Sequence, residues 1–127
     1  MGNGTSIGRV RALGSAHSGA HHWLSQRYTA IGNLVLGLWL VFSLVGLKQY
    51  DFATVHDWAA RPVPATCLAL LVISSFWHAR LGLQVVVEDY LSNEANRVGG
   101  MILLNLAVVA GSVFGLFCIL RIALGAN

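Results

Sequence analysis

Of 127 residues, 56% are hydrophobic and only 10% are Asp, Glu, Lys or Arg, against about 25% charged residues in ordinary soluble domains. That composition excludes a water-soluble globular domain and leaves a membrane protein. The net charge of +3 calls for no nucleic acid, because no basic stripe interleaves with aromatic residues; it reads instead as a signal of topology.

The first 27 residues, "MGNGTSIGRVRALGSAHSGAHHWLSQR", carry three arginines and three histidines but no apolar block. A cleaved secretory signal requires such a block, so residues 1–27 are expected as a mature polar arm, partly ordered by a partner and ending in a short surface helix at Trp23. A membrane helix needs about 20 mostly apolar residues, and the gaps between charges supply three. The predicted spans are 28–47, 62–87 and 98–120, which make residues 28–127 a three-helix membrane anchor. Period-two alternation is lacking, and so few strands could not close a barrel. With no water to satisfy the backbone, each span is expected to be helical.

The first linker, "KQYDFATVHDWAARP", is polar, with aromatics that suit a membrane interface, and Pro62 fits the first turn of the second span. The second, "EDYLSNEANR", is short enough to make spans two and three antiparallel neighbours. Arg9, Arg11, Arg27 and Arg97 fall on one side of the membrane, joined by Arg80 if it snorkels that way, against Lys48, Arg61 and Arg121 on the other. The bias predicts a cytoplasmic amino terminus and an external carboxyl terminus. Cys67 and Cys118 lie within spans and form no CxxC or CxxCH pattern, so they read as small buried hydrophobes.

One ionisable residue stands out. His78 lies within the second span, where such a group is a functional-site hypothesis; an interhelical hydrogen bond, a proton relay and haem ligation are the alternatives. At about 100° and 1.5 Å per residue, Gly82 lies roughly 40° around the helix from His78 and removes side-chain bulk where a flat macrocycle would approach. By the same geometry Asp89 comes within about 20° of the histidine, about 16 Å further along, followed by Tyr90. Arg80 is turned about 200° away and is expected to snorkel to headgroups or to an anionic group such as a haem propionate. No second axial ligand is at the right depth: Met101 is near the start of span three, and His17, His21, His22 and His56 lie outside the spans. A six-coordinate haem would need a ligand from another chain. The fold class that follows is an all-α membrane protein whose three transmembrane helices form part of a heteromeric helical bundle.

"HARLGLQVVVEDY" resembles the motif H-x-x-x-G-x-x-x-x-x-x-D-Y of the small hydrophobic membrane-anchor family of succinate dehydrogenase, respiratory complex II. Upstream, "HHWLSQRYTAIGN" is similar to that family's segment before the first span, in which a histidine and an aromatic precede Arg-x-Thr-Ala. The loop is most like the alphaproteobacterial and mitochondrial branch. The resemblance implies that His78 is an axial ligand of haem b, with the second histidine from the companion anchor, the cytochrome b subunit of succinate dehydrogenase. It implies that Tyr90 hydrogen-bonds ubiquinone, that Asp89 orients that site or passes protons to it, and that His21 lies near a haem propionate. Arg27 matches the basic residue before the first span, while His22 and Arg80 depart from the pattern and join the propionate candidates. Succinate oxidation, FAD and iron–sulfur clusters would belong to the flavoprotein and iron–sulfur subunits, and the site would be a bacterial inner membrane in preference to a mitochondrial one. A small three-pass transporter and a cofactor-free assembly or tethering protein remain the other classes. The transporter would require ionisable residues on two facing walls, whereas only one span offers them.

Overall fold

The computed structural model describes residues 17–125, so the arm up to residue 16, with Arg9 and Arg11, lies outside the described residues. Four helices follow in order: α1 (His17–Val45), α2 (Phe52–Ala60), α3 (Pro62–Tyr90) and α4 (Glu94–Ala123). Three of them, α1 from Gly19 onward, α3 and α4, are long and apolar enough to cross a membrane. No strand occurs among the described residues.

Local chemistry sets the ends. No proline interrupts residues 17–45, so the polar segment and the first apolar span form one continuous helix, in place of a separate surface helix ending at Trp23. Helical hydrogen bonding needs no apolar side chains once the adjoining turns are formed. Arg61 is extended and Pro62 occupies the first turn of α3, where its missing N–H costs no intrahelical bond. The Asn93 side chain accepts from Ala95 N at 2.9 Å and caps α4, satisfying one of the amides that a helix start leaves orphaned. Glu94 in its first turn and Arg121 in its last complement the helix dipole.

Helix α2 lies in a segment expected only as a polar linker. Val55, Trp58 and Ala59 recur at helical spacing, and Trp58 and Ala59 are buried. The Trp58 indole stacks on Trp39 of α1, with centroids 6.0 Å apart. This short helix therefore clamps the ends of the long ones near the Lys48 side of the membrane.

Helix α3 is central. It packs antiparallel to α1 on one side and to α4 on the other, while α1 and α4 make no contact with each other among the described residues. The α3–α4 seam depends on small residues. A Cβ at Gly111 would overlap the Phe76 ring, and one at Gly115 would lie 3.0 Å from Val72 Cγ1. Phe76 and Val72, one turn apart on α3, thus sit on a Gly111-x-x-x-Gly115 pair of α4, the close-packing arrangement that van der Waals contact favours in lipid. Gly100 takes Leu91 and Val87 in the same way, at 2.9 and 3.2 Å from its hypothetical Cβ.

Candidate functional site

The α1–α3 seam carries a polar stripe, whereas the α3–α4 seam is mainly apolar and is crossed by one polar pair, Arg80 and Asn105. His22, Gln26, Thr29 and Asn33 recur at spacings of four, three and four, the period of one helix face. From α3, Ser74, Ser75, His78 and Gly82 meet this stripe. Ser74 Oγ donates to the Thr29 carbonyl at 3.3 Å, and Ser75 Oγ to Asn33 Oδ1 at 3.4 Å. His78 Nδ1 lies 3.0 Å from Thr29 Oγ1, and a Cβ at Gly82 would be 3.7 Å from Gln26 Nε2. Interhelical bonds of this type contribute about 0.6 kcal/mol on average in a membrane. They fix register and ring orientation more than they hold the helices together.

His78 therefore makes the interhelical hydrogen bond that is one reading of it, and makes it through one nitrogen. Nε2 has no partner among the described residues. The only buried side-chain nitrogen or oxygen without a partner among them is His22 Nε2. It follows that Nε2 of His78 reaches the surface of the chain, where a group supplied from outside can meet it. Gly82 supports the same reading: its Cβ position is free of tight contact within the chain, so nothing inside this polypeptide demands a glycine there. A half-buried imidazole with one free nitrogen beside an open glycine fits a planar macrocycle presented from a neighbouring subunit. No three His, Cys, Asp or Glu side chains gather as a metal site among the described residues.

The remaining predicted residues separate into three places. Asp89 and Tyr90 end α3, both exposed, Tyr90 to 82%. Glu88 precedes them and accepts from Gln84 Nε2 at 2.9 Å. Two carboxylates in the last turn oppose the helix dipole, at a cost of about 0.3–1 kcal/mol each. On α1, His21 is exposed, whereas His22 turns inward on the stripe face, and the Arg27 guanidinium covers the Trp23 ring at 5.0 Å. Arg80 is on the far side of α3. Its Nε donates to Asn105 Oδ1 of α4 at 2.6 Å, with the guanidinium 5.6 Å from the Trp77 centroid. An open groove of about 420 Å³ between the end of α3 and the start of α4 is lined by Glu88, Arg97, Met101 and Asn105 among others, and by none of His78, Asp89 or Tyr90.

Sequence reasoning missed Thr29, Asn33 and Asn105. The signal was present for the first two, since a polar stripe at helical spacing in an apolar span points to a packed seam; Asn105 had only its isolation to mark it.

The chain matches the model of the succinate dehydrogenase/fumarate reductase transmembrane subunit family over residues 1–114. It belongs to that family. It is 38% identical over 113 residues to the succinate dehydrogenase hydrophobic membrane anchor subunit of Rickettsia bellii, covering 89% of this chain and 85% of the relative. The subunit of the same name from Paracoccus denitrificans is 29% identical over 122 residues, 92% of this chain and 90% of the relative. The succinate dehydrogenase membrane anchor subunit of Reclinomonas americana is 28% identical over 95 residues, 72% and 79% respectively. Family and fold agree: this is a membrane-anchor subunit of a succinate dehydrogenase, with three apolar helices for the bilayer.

Proposed function

We propose that this chain contributes one axial ligand of a b-type haem and part of a ubiquinone-reduction site to succinate:ubiquinone oxidoreductase, and that it docks the iron–sulfur and flavoprotein subunits at the membrane. The observation that carries the reading is the free Nε2 of His78, at the chain surface beside Gly82, in a ring held through Nδ1. A neutral imidazole nitrogen is a haem-iron ligand, and the second would be a histidine of the companion cytochrome b anchor. When bound, the haem supplies a one-electron centre whose potential depends on its axial ligands and burial.

The residues of this chain then divide the work. Succinate is oxidised on the flavoprotein, and electrons cross the clusters of the iron–sulfur subunit to ubiquinone at the cytoplasmic face. Reduction of the quinone takes two electrons from that side and two protons from water. The Tyr90 hydroxyl, exposed at the end of α3, donates a hydrogen bond to a quinone carbonyl and stabilises charge developing there. Asp89, adjacent and exposed, accepts protons from water and passes them on. His21 and Arg27, exposed at the start of α1, and His22, turned into the α1–α3 seam, are the candidates for contact with haem propionates. Arg80, engaged with Asn105 on the opposite side of α3, is the weakest of the four candidates.

The test is the reduced-minus-oxidised spectrum of the whole complex carrying His78→Ala. Loss or displacement of the b-type band with flavin content retained supports the assignment. An unchanged band means that the ligand is elsewhere.

A further inference from the structure

The polar atoms around His78 implicate one residue more. Thr29 has a single hydroxyl proton, and two carbonyls of its own helix are within reach of it: Ser25 O at 2.9 Å and Gln26 O at 3.1 Å. This back-bonding to the preceding turn is the usual disposition of a threonine within a helix. When that proton is directed to the backbone, Oγ1 has only lone pairs left for the imidazole, an arrangement in which His78 Nδ1–H is the donor at the 3.0 Å contact. A proton on Nδ1 leaves Nε2 with the lone pair that binds a metal.

We propose that Thr29 is the positioning residue for His78: through Oγ1 it sets the tautomer and the ring orientation that present Nε2 to haem iron, and it tunes the electron donation of the ligand. This rests on the reading of His78 as an axial ligand. The hydrogen bonds form a directed series, from Nδ1–H to Oγ1, and from Oγ1–H to the Ser25 carbonyl. In such a series each bond polarises the next, and an acceptor behind Nδ1–H raises the basicity of the opposite nitrogen. A more basic ligand stabilises the ferric state and lowers the potential of the haem. The position is well supported, because Ser74 Oγ donates to the carbonyl of the same Thr29 and holds the α1 turn against α3.

Three variants in the whole complex test this, read by haem potential, by the ferric haem EPR signal and by haem retained per flavin. Thr29→Val keeps the shape and removes the acceptor; it is expected to raise the haem potential, shift the EPR signal and weaken haem retention about 10–100-fold, the usual effect of losing a partner behind a metal-bound histidine. Thr29→Ser keeps the hydroxyl and is expected to match the wild type. His78→Ala is the control for the underlying assignment. If His78→Ala removes the haem but Thr29→Val leaves potential and EPR signal unchanged, or if Thr29→Ser is displaced as far as Thr29→Val, the role given to Thr29 is wrong while the ligand assignment stands. If His78→Ala leaves the haem unaltered, the ligand assignment itself fails. Should Thr29→Val not assemble, Thr29→Cys, similar in volume with a weakly accepting sulfur, replaces it; an undisplaced potential in that variant overturns the proposal equally.

Discussion

At the scale of single residues, the two nitrogens of His78 differ: Nδ1 meets Thr29 Oγ1, and Nε2 has no partner among the described residues, which is what the proposed ligand role requires. Gly82 gives an independent check. A methyl group there meets nothing closer than Gln26 Nε2 at 3.7 Å within the chain, so Gly82→Ala should assemble into the complex while displacing the haem or shifting its spectrum. Normal haem content and spectrum in that variant would mean that no macrocycle lies against this turn. Tyr90→Phe should leave the haem band intact and lower quinone reduction about tenfold or more, since a hydrogen bond to developing charge is worth roughly 1.5–3 kcal/mol. Unaltered turnover would make Tyr90 an interfacial aromatic only. Spacing alone puts His78 and Asp89 along one side of a helix, whereas Tyr90 is turned about 120° from the histidine and was singled out by the family motif. Thr29 was overlooked although the polar stripe at helical spacing marks its face of the helix; that it meets His78 shows only when the partner across the seam is known. The inward turn of His22 against the exposure of His21 likewise depends on which face of α1 meets α3.

The elements differ in what holds them. The three long helices were legible from gaps between charges, the second interrupted only by Arg80, and their actual limits extend beyond the apolar cores because polar turns continue a helix already formed. Helix α2 was hidden by the polar composition of its segment, although Val55, Trp58 and Ala59 carry the helical spacing. The α3–α4 seam relies on shape, and this can be measured by contrast between glycines. Gly111→Ala forces a methyl group into the Phe76 ring and should destabilise the complex by about 1–3 kcal/mol, the usual cost of overpacking, read as a lower thermal midpoint in detergent. Gly99→Ala, with nothing within 4 Å of its Cβ, should leave that midpoint unchanged. Equal effects would show that the seam is not the source of rigidity. On α4, Asn105 gives Arg80 a partner at membrane depth, so the guanidinium need not reach the headgroups for satisfaction.

For the molecule as a whole, the open arrangement is the main consequence of these seams. With α1 and α4 out of contact on either side of α3, almost every long helix keeps apolar faces for lipid or for another subunit. Among the described residues the buried hydrophobic core is only Trp58, Ala59, Ala65 and Leu81. Such a chain is suited to be half of a helical bundle and unsuited to enclose a cofactor unaided; the short second linker made the α3–α4 pairing legible in the sequence, whereas the packing of α1 on α3 rests on side chains matched across a seam. Expressed without its companion anchor, it should bind haem weakly or not at all; a stable stoichiometric haem signal from the lone chain would contradict the shared site. The most direct measurement of the central claim replaces the ligand and keeps the site: the EPR spectrum and midpoint potential of haem in the complex bearing His78→Met. Ligation by His78 predicts conversion from a bis-histidine to a histidine–methionine haem with a higher potential, or loss of the haem. A bis-histidine signature unchanged in shape and potential would contradict it.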